Sequence, residues 1–239
     1  MIAGLMLDPL ELTGRARTHI VQLERPRCAL HRDVIAPFLG LCAAAAADGI
    51  EIKVISAYRD FEAQLAIWNR KFSGQRTLYD SEGRELDHAS LDEDARIEAI
   101  LAWSALPSAS RHHWGTDIDV FDAAAATPQY RVALLPGEYA PGGPFARLDR
   151  WLAANAARFG FYRPYDRDRG GVNPEPWHIS HAPNALPASQ ALTLKLVADA
   201  LRDAQMLGRR AVLARLEAIF ERYVTNVGQP GPLLPGDTG

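Results

Sequence analysis

Ser110-Arg111-His112-His113-Trp114-Gly115-Thr116-Asp117-Ile118-Asp119, taken with Glu175-Pro176-Trp177-His178, is the stretch from which the rest of the chain is read. Residues 116 to 121 have strand character. Alternation along that strand puts Asp117 and Asp119 on one face and Ile118 on the other. His112 and Asp119 are seven residues apart with Gly115 between them. The glycine permits the tight path that brings residue 112 back beside residue 119. A second strand, Trp177 to His181, carries His178, and Glu175 sits at the Pro-Trp corner before it. The chain holds only seven histidines, so this grouping of imidazoles and carboxylates is selective. Two neutral imidazoles and one carboxylate make a three-ligand zinc site with one position left open. A glutamate beside it can act as base toward a water in that position. The pattern points to a metal hydrolase.

Taken singly, each residue has a plainer reading. A lone buried histidine is usually a hydrogen-bonded core residue, an aspartate like Asp119 often caps a turn, and a loop glutamate like Glu175 is usually solvated. Only one of Asp117 and Asp119 needs to be a ligand, and His113 and His181 compete with their neighbours on pattern alone. The joint arrangement is what points to a site.

Working outward, His19 to Leu23 reads as a short strand. Leu30 to Asp48, rich in Ala and Leu and followed by Gly49, reads as a helix with a stop signal. Glu51 to Ser56 alternates polar and β-branched residues, as a half-buried strand does. A helix is predicted from Asp60 to Phe72, its apolar positions Phe61, Leu65, Trp68 and Phe72 falling at helical spacing. Residues 73–90 read as a polar surface excursion, and Asp92 to Ser104 as a helix with acids at its positive end. Residues 123–143 read as a long loop, Pro144 to Phe159 as a helix closed by Gly160, and 161–174 as an aromatic and glycine-rich loop. Two further helices are predicted over Ala188 to Met206 and Arg210 to Val224. The tail from Gly228 is too rich in Pro and Gly to be regular. Strands and helices do not alternate as in a doubly wound sheet, so the class is α+β. The domain reading is an N-terminal extension (1–25), a catalytic domain (26–185), a C-terminal helical extension packed on it (186–227) and a flexible tail (228–239).

Composition bounds the function. A chain of 239 residues buries a substantial core. The net charge of −3 speaks against a general nucleic-acid binder. Cys28 and Cys42 are the only cysteines, which excludes a thiolate zinc site and a disulfide framework. The longest apolar run, Phe38 to Ala47, is too short to span a bilayer, so no integral membrane segment is expected. Met1 to Leu7 is apolar, but Asp8 and Glu11 follow and no positive charge precedes it, a poor signal peptide. The expectation is a cytoplasmic protein, or a periplasmic or cell-wall-associated one if export uses a route the sequence does not reveal.

The residues resemble a known family, the zinc D,D- and L,D-carboxypeptidases of peptidoglycan metabolism, in their VanY-like branch. The pattern Ser-x-His-x-x-Gly-x-x-x-Asp falls on Ser110, His112, Gly115 and Asp119. Glu-x-x-His falls on Glu175 and His178. Ser-x-Tyr-Arg followed by Gln falls on Ser56, Tyr58, Arg59 and Gln64. The motifs stand in the family's order across residues 56 to 178, and the flanks (1–25 and 185–239) lack such support. The resemblance implies a small, mainly antiparallel sheet that carries a zinc site and is flanked by helices, as in Hedgehog and D,D-peptidase folds. It implies His112, Asp119 and His178 as zinc ligands and Glu175 as catalytic base. Arg59 would bind the substrate carbonyl and its oxyanion, and Ser110, Tyr58 and Gln64 would line the cleft. The chain departs from the family at Asp117, where a small residue is usual. That carboxylate has three candidate roles: tuning metal affinity, binding a substrate ammonium, or hydrogen-bonding a ligand histidine.

The implied reaction is attack of a zinc-activated hydroxide on a D-Ala-D-Ala type peptide bond, with a peptidoglycan-derived peptide as partner. Alternatives within the same chemistry are an L,D-carboxypeptidase and a muropeptide endopeptidase. An alternative of another class is a non-catalytic zinc-containing module that binds peptide, against which Glu175 and Arg59 speak. A carboxypeptidase also needs a cation for the terminal carboxylate, and Arg111, Arg163 and Arg167 are candidates among which the sequence does not choose. The protein is expected to be a monomer or a dimer.

Overall fold

A computed structural model describes residues 7–231. The first six residues of the expected N-terminal extension, and residues 232–239 of the expected tail, lie outside the described residues.

The first elements among the described residues are a single turn, α1 (Pro9–Leu12), capped by Asp8, and a hairpin, β1 (Ile20–Glu24) and β2 (Arg27–His31). Then come α2 (Ile35–Ala47), β3 (Ile52–Ser56) and α3 (Phe61–Phe72). A small hairpin, β4 (Leu78–Tyr79) and β5 (Glu85–Leu86), precedes α4 (Glu93–Leu101). After it run β6 (Asp117–Asp122), α5 (Pro136–Tyr139), α6 (Ala146–Asn155), β7 (Phe161–Tyr162) and β8 (His178–His181). The C-terminal part is helical: α7 (Ala182–Ala191), α8 (Leu194–Leu201), α9 (Arg209–Ala214) and α10 (Leu216–Ile219), which runs on into a π turn, Phe220–Thr225.

Four strands form the central sheet in the order β3-β6-β8-β7, every neighbouring pair antiparallel. This is the α+β arrangement expected. The sheet divides two cores. Ile118, Val120 and Ile179 point from one face into an apolar cluster with Phe38 and Leu41 of α2 and Leu148 and Leu152 of α6. The alternate residues, Asp117, Asp119, His178 and Ser180, leave by the opposite face. A second cluster joins α3 and α4 to the C-terminal helices: Trp68, Ile97 and Ile100 pack with Val197, Leu201, Val212 and Ile219. The Trp68 indole donates to the Leu207 carbonyl at 2.9 Å. α3 starts where Asp60 accepts from the Ala63 amide, and α4 where Asp92 accepts from the Ala95 amide, as side-chain caps do.

Several boundaries differ from the sequence reading, for local reasons. Leu30 lies in β2, not in a helix, because Arg27–His31 pairs with β1 and the Ala-rich run turns helical only at Ile35. The excursion at 73–90 contains the β4–β5 hairpin, and the loop at 123–143 contains α5. The helix predicted over Ala188–Met206 starts earlier, at Ala182, and breaks in two. Leu192 is extended, and the Thr193 hydroxyl accepts from the Leu196 amide, capping a new helix. The helix predicted over Arg210–Val224 is likewise divided into α9, α10 and the π turn.

Candidate metal centre and cleft

The turn Arg111–Trp114 ends at Gly115, whose φ of +64° is left-handed. A side chain there has no room. A Cβ would lie 2.4 Å from Ile20 Cδ1 and 2.7 Å from the His31 nitrogen. The β1–β2 hairpin closes over this point, the His31 amide donating to the Gly115 carbonyl at 2.9 Å. The turn hands the chain to β6, where Asp119 stands opposite His178 of β8 and Asp117 opposite Ser180. Glycine therefore sets the path and strand register sets the pairing.

Hydrogen bonds fix both rings. Nδ1 of His112 faces the carbonyls of Ala57 and Asp117 at 2.8 and 3.1 Å. Carbonyls only accept, so Nδ1 carries the proton and Nε2 presents its lone pair, 3.2 Å from Asp119 Oδ2. His178 is turned the other way. Its Nε2 donates to Asp117 Oδ1 at 2.9 Å, which leaves Nδ1 facing Asp119 Oδ1 at 3.0 Å and Glu175 Oε2 at 3.4 Å. Asp119 Oδ1 and His178 Nδ1 are buried and, although close, make no hydrogen bond to each other or to any other described group. Such orphaned buried atoms are costly unless something else engages them. One ligand atom each from His112, Asp119 and His178 lie within 4.8 Å of one another. Two donors that share one metal at bonds of about 2 Å lie no more than about 4 Å apart, so a small inward shift of these side chains suffices to seat an ion, and two nitrogens plus one carboxylate are a zinc-compatible donor set.

The electrostatics agree with this fit. Burial alone would raise the carboxyl of Asp119, but His112 and His178 hold it well below the usual carboxylate range. Burial also works against a charged His178, yet Asp117, Asp119 and Glu175 raise its pKa well above that of a free imidazole. Negative charge is thus concentrated where a cation would sit.

Asp117 is fully buried and serves as a hub. Besides His178 it accepts from Arg111 Nε at 2.7 Å and from the Thr116 hydroxyl at 2.6 Å. Arg111 reaches on to Ser180 Oγ at 2.7 Å and the Tyr162 hydroxyl at 3.0 Å. Of the three roles open to Asp117, the contacts select the hydrogen bond to a histidine of the cluster. Carboxylates in this position orient the ring and raise its basicity. The sequence reading missed Thr116, Ser180 and Tyr162. Ser180 had a signal, being two residues from His178 on one strand face. Tyr162 had none, since only the β7–β8 pairing brings it opposite Ser180.

Arg59 is half-buried, and its partial desolvation lowers its pKa against the opposing pull of Asp119 and Glu175. Its two terminal nitrogens donate to Gln64 Oε1 at 2.6 Å and Ser56 Oγ at 2.8 Å. With Ser110, His112, Asp119, Glu175 and His178 it lines a cavity of about 260 Å³. Two expected cleft residues are placed differently. Gln64 is fully buried behind Arg59, tied to it and to the Ala105 carbonyl, and is not among the lining residues. Tyr58 is not either. Its ring stands edge-on to His19 with the Arg17 guanidinium over it, so the N-terminal segment captures it. The competing histidines also point elsewhere. His113 bonds the Arg59 carbonyl and the Ser108 amide, and His181 bonds Asn184.

The carboxylate-anchor candidates fare no better. Arg111 is neutralised by Asp117. Arg163 pairs with Asp149 at 2.9 Å and, like the exposed Arg167, does not line the cavity.

Residues 27–184 match the family described as VanY, D-alanyl-D-alanine carboxypeptidase. An uncharacterized protein of Haemophilus influenzae is 37% identical over 121 residues, 50% of this chain and 92% of that one. A D-alanyl-D-alanine carboxypeptidase of Enterococcus faecalis is 32% identical over 151 residues, 62% of this chain and 46% of that one. Among solved structures, VanYB in complex with D-alanine-D-alanine shares the fold, with a TM-score of 0.50 and 24% identity over 78% of this chain and 89% of that one. A peptidase fold, a buried cluster of two imidazoles and a carboxylate, and a match of this extent define the class: the chain belongs to the VanY family of D-alanyl-D-alanine carboxypeptidases.

Proposed function

We propose that this chain is a zinc-dependent D,D-carboxypeptidase that removes the terminal residue from peptidoglycan peptides ending in D-Ala-D-Ala. The observation that carries the reading is the convergence of unpartnered His178 Nδ1 and Asp119 Oδ1 on one buried point that His112 Nε2 also faces, with Glu175 alongside.

Zinc held by His112, Asp119 and His178 would supply Lewis acidity, polarising the scissile carbonyl and acidifying a water toward neutrality. Glu175 opens on the same cavity and is placed to accept the proton of the attacking water and to return it to the leaving amine. Arg59, held by Gln64 and Ser56, offers its charge to the carbonyl oxygen as negative charge develops there. Loss of one such contact typically costs about 3–4 kcal/mol of barrier. Asp117 keeps His178 in the orientation that leaves Nδ1 toward the cavity. The test is release of D-Ala from a D-Ala-D-Ala pentapeptide by the zinc-loaded protein. No release from that peptide would remove the D,D-specificity, and no release from any muropeptide would favour a binding module.

A further inference from the structure

Beyond the metal cluster, the cleft carries a charge that the proposed chemistry does not use. α3 presents Gln64, Ile67 and Lys71 at helical spacing on one side. Gln64 reaches Arg59, while Ile67 and Lys71 line the cavity itself. Lys71 is only 8% exposed. Its ammonium donates to the Ser104 hydroxyl at 2.7 Å, and among the described residues no carboxylate lies within ion-pair distance of it. Burying an ammonium with one neutral partner is unfavourable. The strain shows in its proton affinity: burial, with Arg76 and Arg59 nearby, lowers the Lys71 pKa to about 8, Glu175 pulling the other way. The exposed Arg76 also lines the cavity and is near enough to Lys71 for its charge to be felt there. Of the arginines that line the cavity beside the cluster, Arg59 already has its role at the substrate carbonyl and Arg111 is paired with Asp117.

We propose that Lys71, assisted by Ser104 and Arg76, is the anchor for the C-terminal carboxylate of the peptide substrate, and so the residue that makes the site an exopeptidase. The inference rests on the peptidase reading above and deepens it. A carboxylate entering the cavity supplies the counter-charge that Lys71 lacks, and an amidated or continuing chain does not.

The test separates binding from turnover. In zinc-loaded Glu175→Gln protein, the affinity of an acyl-D-Ala-D-Ala peptide is measured by calorimetry as the free acid and as the C-terminal amide, with Lys71 intact, as Lys71→Met and as Lys71→Gln. Gln can keep the bond to Ser104, so it serves if the Met variant fails to fold. Expected is an acid preference of about 10- to 100-fold, the usual worth of a charged hydrogen bond, lost in both variants and largely kept in Lys71→Arg. An acid-to-amide ratio unchanged by Lys71→Gln overturns the anchor, as does a Lys71-intact protein that binds both forms equally. Turnover with Glu175 intact is scored separately. A Lys71-dependent acid preference without turnover sustains the anchor and removes the peptidase reading, whereas turnover of the free acid with no dependence on Lys71 does the reverse.

Discussion

At the scale of single residues, Asp117 is the position where contacts add most to the sequence. On pattern it was a second aspartate beside a candidate ligand. In the fold it bonds His178 on one side and is neutralised by Arg111 on the other, so it can hold the ring without adding free charge to the cleft. Replacing it by Ala strands the buried Arg111 charge and should lower stability, and in the protein that stays folded it should weaken zinc binding about 10- to 100-fold, measured by competition with a chromogenic chelator. Zinc affinity equal to that of the unaltered protein would show that His178 needs no such support. Asp117→Asn should fall between, since an amide oxygen can still accept from the imidazole while the ion pair with Arg111 is lost. Glu175 behaves differently. Glu175→Gln should retain zinc and lose about 100- to 10,000-fold in turnover, the usual range for a general base. A loss of zinc to match would mark it as a ligand.

At the scale of elements, the strands around the site were legible because a period of two is written into Thr116–Phe121 and Glu51–Ser56, and α3 and α4 because Asp60 and Asp92 announce their starts. β2 was not legible. Its residues run directly into the apolar stretch of α2, and nothing local marks the change of period; only pairing with β1 does. The break at Thr193 carried a capping residue hidden inside a continuous helical pattern. The cluster itself, His112, Asp119, Glu175 and His178, was readable from motif spacing. Gln64 and Tyr58 were misplaced because a motif records which residues recur, not which way they face. The turn at Gly115 gives an element-level prediction. Gly115→Ala forces a left-handed residue, at about 1–2 kcal/mol, and drives a methyl into Ile20 and the His31 backbone. Its denaturation midpoint should fall clearly, and an unchanged midpoint would mean that the hairpin yields. His31 offers a second. Its Nδ1 accepts from the Asp33 amide at the start of the turn before α2, which requires a neutral nitrogen, and burial lowers its pKa to about 4. The unfolded chain takes up this proton near pH 6.5, so stability present at neutrality is lost as the pH falls from about 6.5 to about 4. His31→Asn, which keeps an acceptor for the cap, should flatten the slope of urea stability across that window. An identical slope would place the titration elsewhere.

At the scale of the molecule, the central sheet stands between two apolar clusters and the cleft opens on the side of α3. The C-terminal helices complete the cluster that backs α3, with Trp68 bonded to the Leu207 carbonyl. We therefore expect a chain ended after residue 185 to expose Trp68, Ile97 and Ile100 and to lose cooperative unfolding. A cooperative transition in that truncated chain would make residues 186–227 dispensable. No helix among the described residues is long and apolar enough to cross a membrane. The central claim is that one buried cluster holds zinc and that Glu175 works beside it on D-Ala-D-Ala peptides. The most direct measurement pairs metal content with product release, in the unaltered protein and in Glu175→Gln, after zinc loading and gel filtration. One zinc per chain in both, with free D-Ala released only by the unaltered protein, is the predicted result. Release undiminished in Glu175→Gln, or an unaltered chain that retains no zinc, would contradict it.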